Sequence, residues 1–590
     1  MTGLGQGVAA LAAQVRAGQR SAVAIAEDTL ARADAYDVVQ PQTWIARLSR
    51  DDVLQRASDV DMRVKAGEEL PLAGVPFAIK DNIDLAGVPT TAACPAFGYV
   101  ADENAFAVQR LLDAGAIPIG KTNLDQFATG LVGSRSPYGA CACVYNRDYI
   151  SGGSSSGSAV AVASGVVSFA LGTDTAGSGR VPAAFNGLIG YKPTCGRWSK
   201  RGVVPACRSL DCVSVFTTQV ADAVLIDQVL TAFDREDPYS RVASDPRGAI
   251  VKIGIPLARN LNWCGDSRSE ALYERARRKA EQSGLTLVDI DIAPLLDCAK
   301  RLYQGGWVAE RHAILSDLLR DNPSAIHPVV RAIVAPGGQM TAEQAFDDLA
   351  ALKRYERFCE QIFDTVDALL LPTTPTIYRI DDVLAEPFGL NANLGMYTNF
   401  VNMLDLCAIA IPCGFRRNGT GFGVTLIGPA WSDPALADLA LDFQDIGMEK
   451  PPLDLAPVGD VARLAVVGAH LSGMPLNWQL SSRGARLIRQ CRTEPCYELY
   501  AMADSTPPKP ALVHVGEGGA AIEVEVYEMG LAEFGSFTVD VPAPLAIGTL
   551  TLDNGDAVKG FVGEPRAIAG ARNITNFGGW RAFCAALEKP

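Results

Sequence analysis

Residues 151–194 read SGGSSSGSAVAVASGVVSFALGTDTAGSGRVPAAFNGLIGYKPT, a run dominated by glycine, serine and alanine. It is not a linker. Val160, Val162, Val166, Val167, Phe169, Leu171, Val181, Phe185, Leu188 and Ile189 are spaced through it, and a solvated Gly/Ser tether lacks such apolar anchors. Small residues between anchors mean that backbone passes close to backbone or to a ligand, which glycine permits because it has no Cβ. Either tight core packing or a functional site produces this pattern. Within it, 156–164 is patterned as a helix, 166–172 as a strand and 179–186 as a second helix.

The alternation extends on both sides. Residues 1 to 70 are patterned as helices, with Ser21 as the N-cap of the second. In LPLAGVPFAIKDN, the run Val75 to Ile79 is short, apolar and bounded by glycine and proline, which marks a buried strand ending at Lys80. That lysine either reaches out to solvent or is held in a site by Asp81 and Asn82. A helix (FAVQRLLDAG) and a strand (AIPIG) then lead to Lys121. VKIGI at 251–255, a charged amphipathic helix over 267–281, LTLVDIDI and DALLLPT at 367–373 repeat the theme. Alternation over 400 residues predicts an α/β fold with a central mixed β-sheet covered by helices.

The proline-rich text FQDIGMEKPPLDLAPVGD interrupts this pattern. It divides the chain into a first domain over 1–443, a linker over 444–460 and a smaller C-terminal β-rich α+β domain over 461–590. Strands are expected there over LAVVGAHL, ALVHVG, AIEVEVYEMG, GSFTVDV and LAIGTLTL.

Composition narrows the function. A net charge of −14 argues against a nucleic-acid partner, because phosphate binding needs clustered Lys and Arg. No uncharged apolar run reaches 18 residues and no secretory pattern opens the chain, so no membrane association and a cytoplasmic location are expected. Fourteen cysteines without a CxxC pair are read as reduced, buried thiols, and no metal, flavin or nucleotide motif is visible, so no cofactor is expected. Only four histidines occur: His312, His327, His470 and His514.

That scarcity bears on how a serine here could react. Residues 153–157 (GSSSG) match G-x-S-x-G, but no strong strand leads into them and no histidine is near in sequence. Lysine is the better base. It titrates near 10.4 in water, and burial lowers that value until a neutral amine is available. A second serine can relay the proton, since a hydroxyl both donates and accepts. A nucleophile placed after Thr175-Ala176-Gly177 would have consecutive backbone N–H groups, and a following helix N-terminus, to stabilise an oxyanion.

GGSSSGSAVAVASG followed by LGTDTAGSGRVPAAFNGLIGYKPT, with Lys80 in GVPFAIKDN, resembles the amidase signature family over roughly residues 20 to 430. The resemblance implies a triad of Ser178 as nucleophile, Ser154 as bridging serine after a cis peptide bond, and Lys80 as base. It also implies an oxyanion hole at Thr175, Ala176 and Gly177, with alanine at 176 where many members carry glycine.

KTNLDQFATGLVGSRSPYG, the segment LYQGGWVAER at 302–311 and VGAHLSGMPLN in the C-terminal domain are similar to the allophanate hydrolases of that family. The substrate so implied is small, with a carboxylate at one end and an amide at the other. Arg311 and Tyr303 match the family's substrate contacts, and their spacing places them two turns apart on one helical face. Without the resemblance, Arg311 could equally be a surface cation paired with Glu310 or Asp317. The implied products are ammonia and N-carboxycarbamate, whose decarboxylation the C-terminal domain would assist. His470 is there either a proton carrier or a hydrogen-bonded core histidine. A resemblance of the C-terminal domain to the γ-glutamylcyclotransferase-like fold makes Glu533 a further candidate, and the family resemblance implies a homodimer. Two other readings stay open: a broader amidase whose C-terminal domain binds or dimerises, and one component of a tRNA-dependent amidotransferase.

Overall fold

A computed structural model of the protein describes residues 7–244, 248–444, 450–455, 461–483, 485–503, 505 and 507–587. The chain divides into two compact units, Met1–Asp454 and Leu455–Pro590. Of the stretch read as a linker, residues 445–449 and 456–460 lie outside the described residues.

The first unit is built on eleven strands: β1 (Trp44–Arg47), β2 (Pro76–Lys80), β3 (Ile117–Thr122), β4 (Phe169–Asp174), β5 (Ile189–Lys192), β6 (Cys212–Thr217), β7 (Lys252–Pro256), β8 (Thr286–Ile290), β9 (Ala368–Pro372), β10 (Leu406–Phe415) and β11 (Gly421–Pro429). They form one sheet in the order β1-β3-β2-β4-β6-β5-β10-β11-β9-β7-β8. Pairing is parallel between β2 and both β3 and β4, and between β7 and both β8 and β9. The remaining neighbours are antiparallel, so the sheet is mixed.

Every residue of β2 and of β4 is buried, which explains continuous apolar runs in place of an alternating pattern. The Phe77 and Phe169 rings stack at 5.2 Å across this pair. With Ile79 opposite Leu171 in a parallel register, Lys80 and the pair Thr173-Asp174 emerge at the same end of the sheet.

The small residues of 151–194 are accounted for by close approach. A Cβ on Gly157 would lie 2.2 Å from the Thr43 carbonyl oxygen and 2.6 Å from the Asn123 nitrogen. The helix Ser156–Ala163 can lie against those loops only because its first turn has no bulk there. β4 starts at Phe169, three residues later than its sequence pattern indicates, because Gly165 turns the chain with φ of +77°. The edge strand β1 appears within a region patterned as helix; four residues are too few for periodicity to separate the two.

The second unit holds a five-stranded sheet in the order Arg486–Arg492, Glu523–Gly530, Val461–Val466, Ala557–Gly563, Leu545–Thr551. A three-stranded sheet (Pro510–His514, Tyr497–Ala501, Arg572–Asn573) accompanies it. The expected strand at GSFTVDV is instead part of the helix Leu531–Val539. Leu531, Phe534 and Phe537 recur at helical spacing and Phe537 is buried in the core, whereas the alternation in SFTVDV is too short to hold a strand.

Among the described residues no helix is long and apolar enough to cross a membrane, and no group of His, Cys, Asp or Glu side chains is arranged to hold a metal ion. Among the described residues no cysteine is joined in a disulfide.

Candidate active site

Lys80 closes β2 with no exposure to solvent. Its Nζ lies 2.8 Å from Ser154 Oγ and 2.7 Å from Thr173 Oγ1. Burial draws the ammonium down to about 7, against the opposing pull of Asp125, Asp211 and Asp174. The side chain therefore faces two hydroxyls, with an amine that exchanges its proton near neutrality.

Ser154 is delivered by a tightly braced loop. The Gly153–Ser154 peptide is cis. The Ser154 carbonyl accepts from Asp125 N–H at 3.1 Å, and Ser155 Oγ donates to the Thr173 carbonyl at 3.1 Å. Asp125 in turn accepts from the N–H groups of Val132, Gly133 and Arg135. A Cβ on Gly153 would lie 2.1 Å from Asp125 Oδ2. The serine loop and the loop 125–135 are thus one packed body.

Ser178 lies on the turn that leaves β4, 2 % exposed. Asp174 organises this turn. Its carboxylate accepts from Gly177 N–H (2.8 Å) and Gly179 N–H (3.0 Å) and meets Arg180 through two hydrogen bonds of 2.9 Å. Burial alone would raise the proton affinity of Asp174; Arg180 and the N–H donors outweigh it, and the net direction is down. The Gly177 N–H, expected in the oxyanion hole, donates to Asp174. The N–H groups of Thr175, Ala176 and Ser178 have no partner among the described residues. Gly177 has φ of +130°, and a Cβ there would meet Thr398 Oγ1 at 2.5 Å. The Thr175 hydroxyl donates to Asp211 at 2.5 Å, which anchors the start of the turn.

Tyr303 and Arg311 do not share a helix. The chain breaks at Gly305-Gly306 between Ala293–Gln304 and Trp307–Asp321. The Asp348 carboxylate accepts from Gly306 N–H at 2.8 Å and would lie 2.7 Å from a Cβ on Gly305, so it stabilises a break that the glycines allow. The two side chains still meet, the Arg311 guanidinium lying 5.1 Å from the Tyr303 ring centroid. Arg311 is 2 % exposed and donates from Nη1 to Thr129 Oγ1 at 3.0 Å, while its Nε and Nη2 have no partner among the described residues. Thr129 belongs to the loop braced by Asp125, and its carbonyl accepts from Arg135. Arg135 and Tyr303 line a cavity of about 920 Å³ in this unit. Trp307 packs in the core.

The structure thus brings Lys80 into contact with Ser154 and with the strand that leads to Ser178. It carries Tyr303 and Arg311 together onto the loop beside Ser154. Sequence reasoning missed Thr173, the Asp174–Arg180 pair, Asp125 and Asp211. One signal exists for the pair: Asp174, Arg180 and Lys192 are the only charged residues of the 44-residue stretch, and an isolated acid and base six apart in a small-residue run are suited to a buried pair.

In the second unit His470 follows the strand Val461–Val466 and is partly buried. Its ring stacks on Phe561 (5.1 Å) and meets the edge of Phe537 (5.3 Å), and Gln479 Oε1 lies 2.9 Å from Nε2. Burial lowers its proton affinity; Gln479 acts the other way and Lys509 adds to the lowering. Glu533 sits exposed in the first turn of Leu531–Val539, outside the cavity that His470 lines. Glu525 and Glu528 are buried acids of this unit, and Glu525 accepts from Ser472, Gln490 and Arg581.

Residues 25–437 match the amidase family, and residues 462–585 match the family of allophanate hydrolase C-terminal domains. The urea amidolyase of Saccharomyces cerevisiae is 41% identical over 574 residues, covering 92% of this chain. The chain spans 31% of that relative's length. The solved allophanate hydrolase of Kluyveromyces lactis is 39% identical and superposes with a TM-score of 0.70, over 99% of this chain and 100% of that one. A glutamyl-tRNA(Gln) amidotransferase chain of Symbiobacterium thermophilum is 35% identical, over 73% of this chain and 94% of its own length.

Proposed function

The chain belongs to the amidase family and carries an allophanate hydrolase C-terminal domain, and from that premise we propose that it hydrolyses allophanate (urea-1-carboxylate) with Ser178 as nucleophile, Ser154 as relay and Lys80 as base. The observation that carries this reading is the 2.8 Å contact between Lys80 Nζ and Ser154 Oγ, in a setting that draws the lysine down to about 7.

Ser178 Oγ attacks the terminal amide carbon and its proton passes through the Ser154 hydroxyl to the neutral amine. The oxyanion is met by the N–H groups of Thr175, Ala176 and Ser178 that the turn leaves without partners. The same proton, returned through Ser154, leaves with ammonia, and water then releases the acyl group as N-carboxycarbamate. Arg311 holds the substrate carboxylate with Nε and Nη2, the two nitrogens that lack protein partners, and Tyr303 flanks it. N-carboxycarbamate then loses carbon dioxide with the help of His470 in the C-terminal unit. A cytoplasmic homodimer is part of this reading, and cysteines without disulfides among the described residues fit a reducing compartment.

Ammonia release from allophanate, malonamate, acetamide and biuret tests the substrate. Allophanate is expected to be used far more efficiently than acetamide. Equal kcat/KM on all four would leave only a broad amidase.

A further inference from the structure

We propose that Cys195 and Cys212 form an oxidisable thiol pair, a modification site at which a hydroperoxide converts the two thiols to a disulfide and slows the chemistry of Ser178. Three strand ends meet here. β4 ends at Asp174, β5 ends at Lys192, and β6 begins at Cys212, which pairs with Asp174 in the sheet. Cys195 lies partly exposed on the turn after β5, whereas Cys212 is buried.

Lys192 makes the exposed thiol the reactive one. Its buried Nζ donates to the Pro193 carbonyl at 2.7 Å and lies 3.9 Å from Cys195 Sγ, with no carboxylate in ion-pair contact among the described residues. A buried ammonium without a counter-ion is costly, and a thiolate at Cys195 supplies one. Burial would strip the Lys192 proton, but Cys195, Cys212 and Asp174 outweigh it and keep the charge. The hydrogen bond from Cys212 draws Cys195 below the ordinary thiol value; burial opposes this and Lys192 adds to it. Burial and the neighbouring sulfur push Cys212 up, so it stays a thiol. One sulfur is thus set to attack and the other to resolve.

The Cys195 thiolate attacks the peroxide, an S–O bond forms and the O–O bond breaks. The departing hydroxide takes a proton from solvent and leaves as water. Cys212 sulfur then attacks the Cys195 sulfenic acid, the S–O bond breaks, and the Cys212 proton leaves with the oxygen as a second water. Two thiols lose two electrons and one peroxide gains them.

The consequence for Ser178 runs through Asp174 and Asn402, and it rests on Ser178 being the nucleophile. Cys212 Sγ donates to the Asp174 carbonyl at 3.3 Å, and Asn402 Nδ2 lies 3.8 Å from the same sulfur. That amide also donates to the carbonyls of Asp174 (2.8 Å) and Leu210 (3.0 Å), and the Leu210 carbonyl lies 3.7 Å from Cys195 Sγ. A disulfide removes the Cys212 proton and pulls its sulfur toward Cys195. The Asp174 carbonyl loses a donor, at the residue whose carboxylate holds Gly177 and Gly179 on either side of Ser178.

The test treats the full chain with hydrogen peroxide and follows it by peptide mapping and by ammonia release from whichever amide it hydrolyses. The Cys195–Cys212 link is expected ahead of oxidation at any other cysteine. Ammonia release should fall about tenfold or more, because small displacements at a reacting centre are expensive, and dithiothreitol should restore it. Cys195→Ser should keep the untreated rate and resist the same dose. First oxidation at another cysteine, or parental inactivation of Cys195→Ser, would overturn the site. A link that leaves the rate unchanged would overturn its coupling to Ser178. The mapping needs no substrate, and Ser178→Ala should still form the link, so a wrong nucleophile and a wrong thiol pair give different results.

Discussion

Asp174 and Arg180 form a two-bonded ion pair with neither side chain exposed, and the five residues between them are the turn that carries Ser178. The pair is the framework on which the candidate nucleophile is mounted. Asn402 locks it from outside, donating to the Asp174 carbonyl at 2.8 Å and accepting from Arg180 at 3.3 Å.

Asp174→Asn should therefore damage both stability and turnover. One amide oxygen cannot serve Gly177, Gly179 and Arg180 together, and Arg180 is left buried without a counter-ion. Breaking such a pair costs about 3–5 kcal/mol. Thermal unfolding should show that loss and ammonia release should fall with it. Arg180→Lys should not restore either, because a lysine cannot make the two-pronged contact.

Lys80→Met separates stability from activity. In the folded chain Lys80 sits near 7, against 10.5 for the unfolded residue, so the unfolded state binds more protons between those values. At pH 7 this disfavours the native state by on the order of 4 kcal/mol, partly offset by the hydrogen bonds to Ser154 and Thr173. The variant should release no ammonia yet melt above the parent at pH 7. The gap should close as the pH rises toward 10, where the parent's burden disappears. Melting curves at the two pH values check it; a gap that widens would contradict the shift.

Much of this site is legible in residues alone, for identifiable reasons. Lys80 ends a run too apolar to be anything but a buried strand, and a lysine there needs partners. Ser154 and Ser178 lie in text whose glycines mark close backbone approach, as at Gly157 and Gly177. The relation of Tyr303 to Arg311 is not legible as geometry, because Gly305-Gly306 reads equally as a weak helix interior or a break. Asp348, far along the chain, decides between them. Glu533 is a candidate through a fold resemblance, and Glu525 is not singled out because a local pattern gives no sign of what a strand residue faces. Glu525 is buried by Ser472 and Arg581, which come from distant parts of the domain.

Arg311→Ala should discriminate among substrates. Losing a buried charge-assisted contact should lower kcat/KM for allophanate roughly 100-fold. Acetamide turnover, which has no carboxylate to hold, should change far less. Steady-state kinetics on both amides checks this, and equal losses would make Arg311 structural.

Glu525→Gln tests the second unit. Burial would raise the Glu525 proton affinity, but Ser472, Arg581 and Gln490 outweigh it and hold the group down at about 2. Its contribution is present above the unfolded value near 4.5 and is lost as the pH falls from there through 2. The variant should cost about 3 kcal/mol at pH 7 and progressively less below pH 4.5. Thermal melts of the two proteins should show the gap only slightly narrowed at pH 4 and closing as the pH approaches 2.

The central claim is that a neutral lysine amine accepts the nucleophile's proton, and the pH dependence of kcat/KM for ammonia release tests it most directly. The account predicts a rate that climbs tenfold per pH unit at low pH and levels off through an inflection near 7, the value to which burial brings Lys80. Lys80→Arg, which cannot lose its proton in this range, should show no such limb and no activity. An inflection near 4, or substantial turnover by Lys80→Arg, would contradict the account.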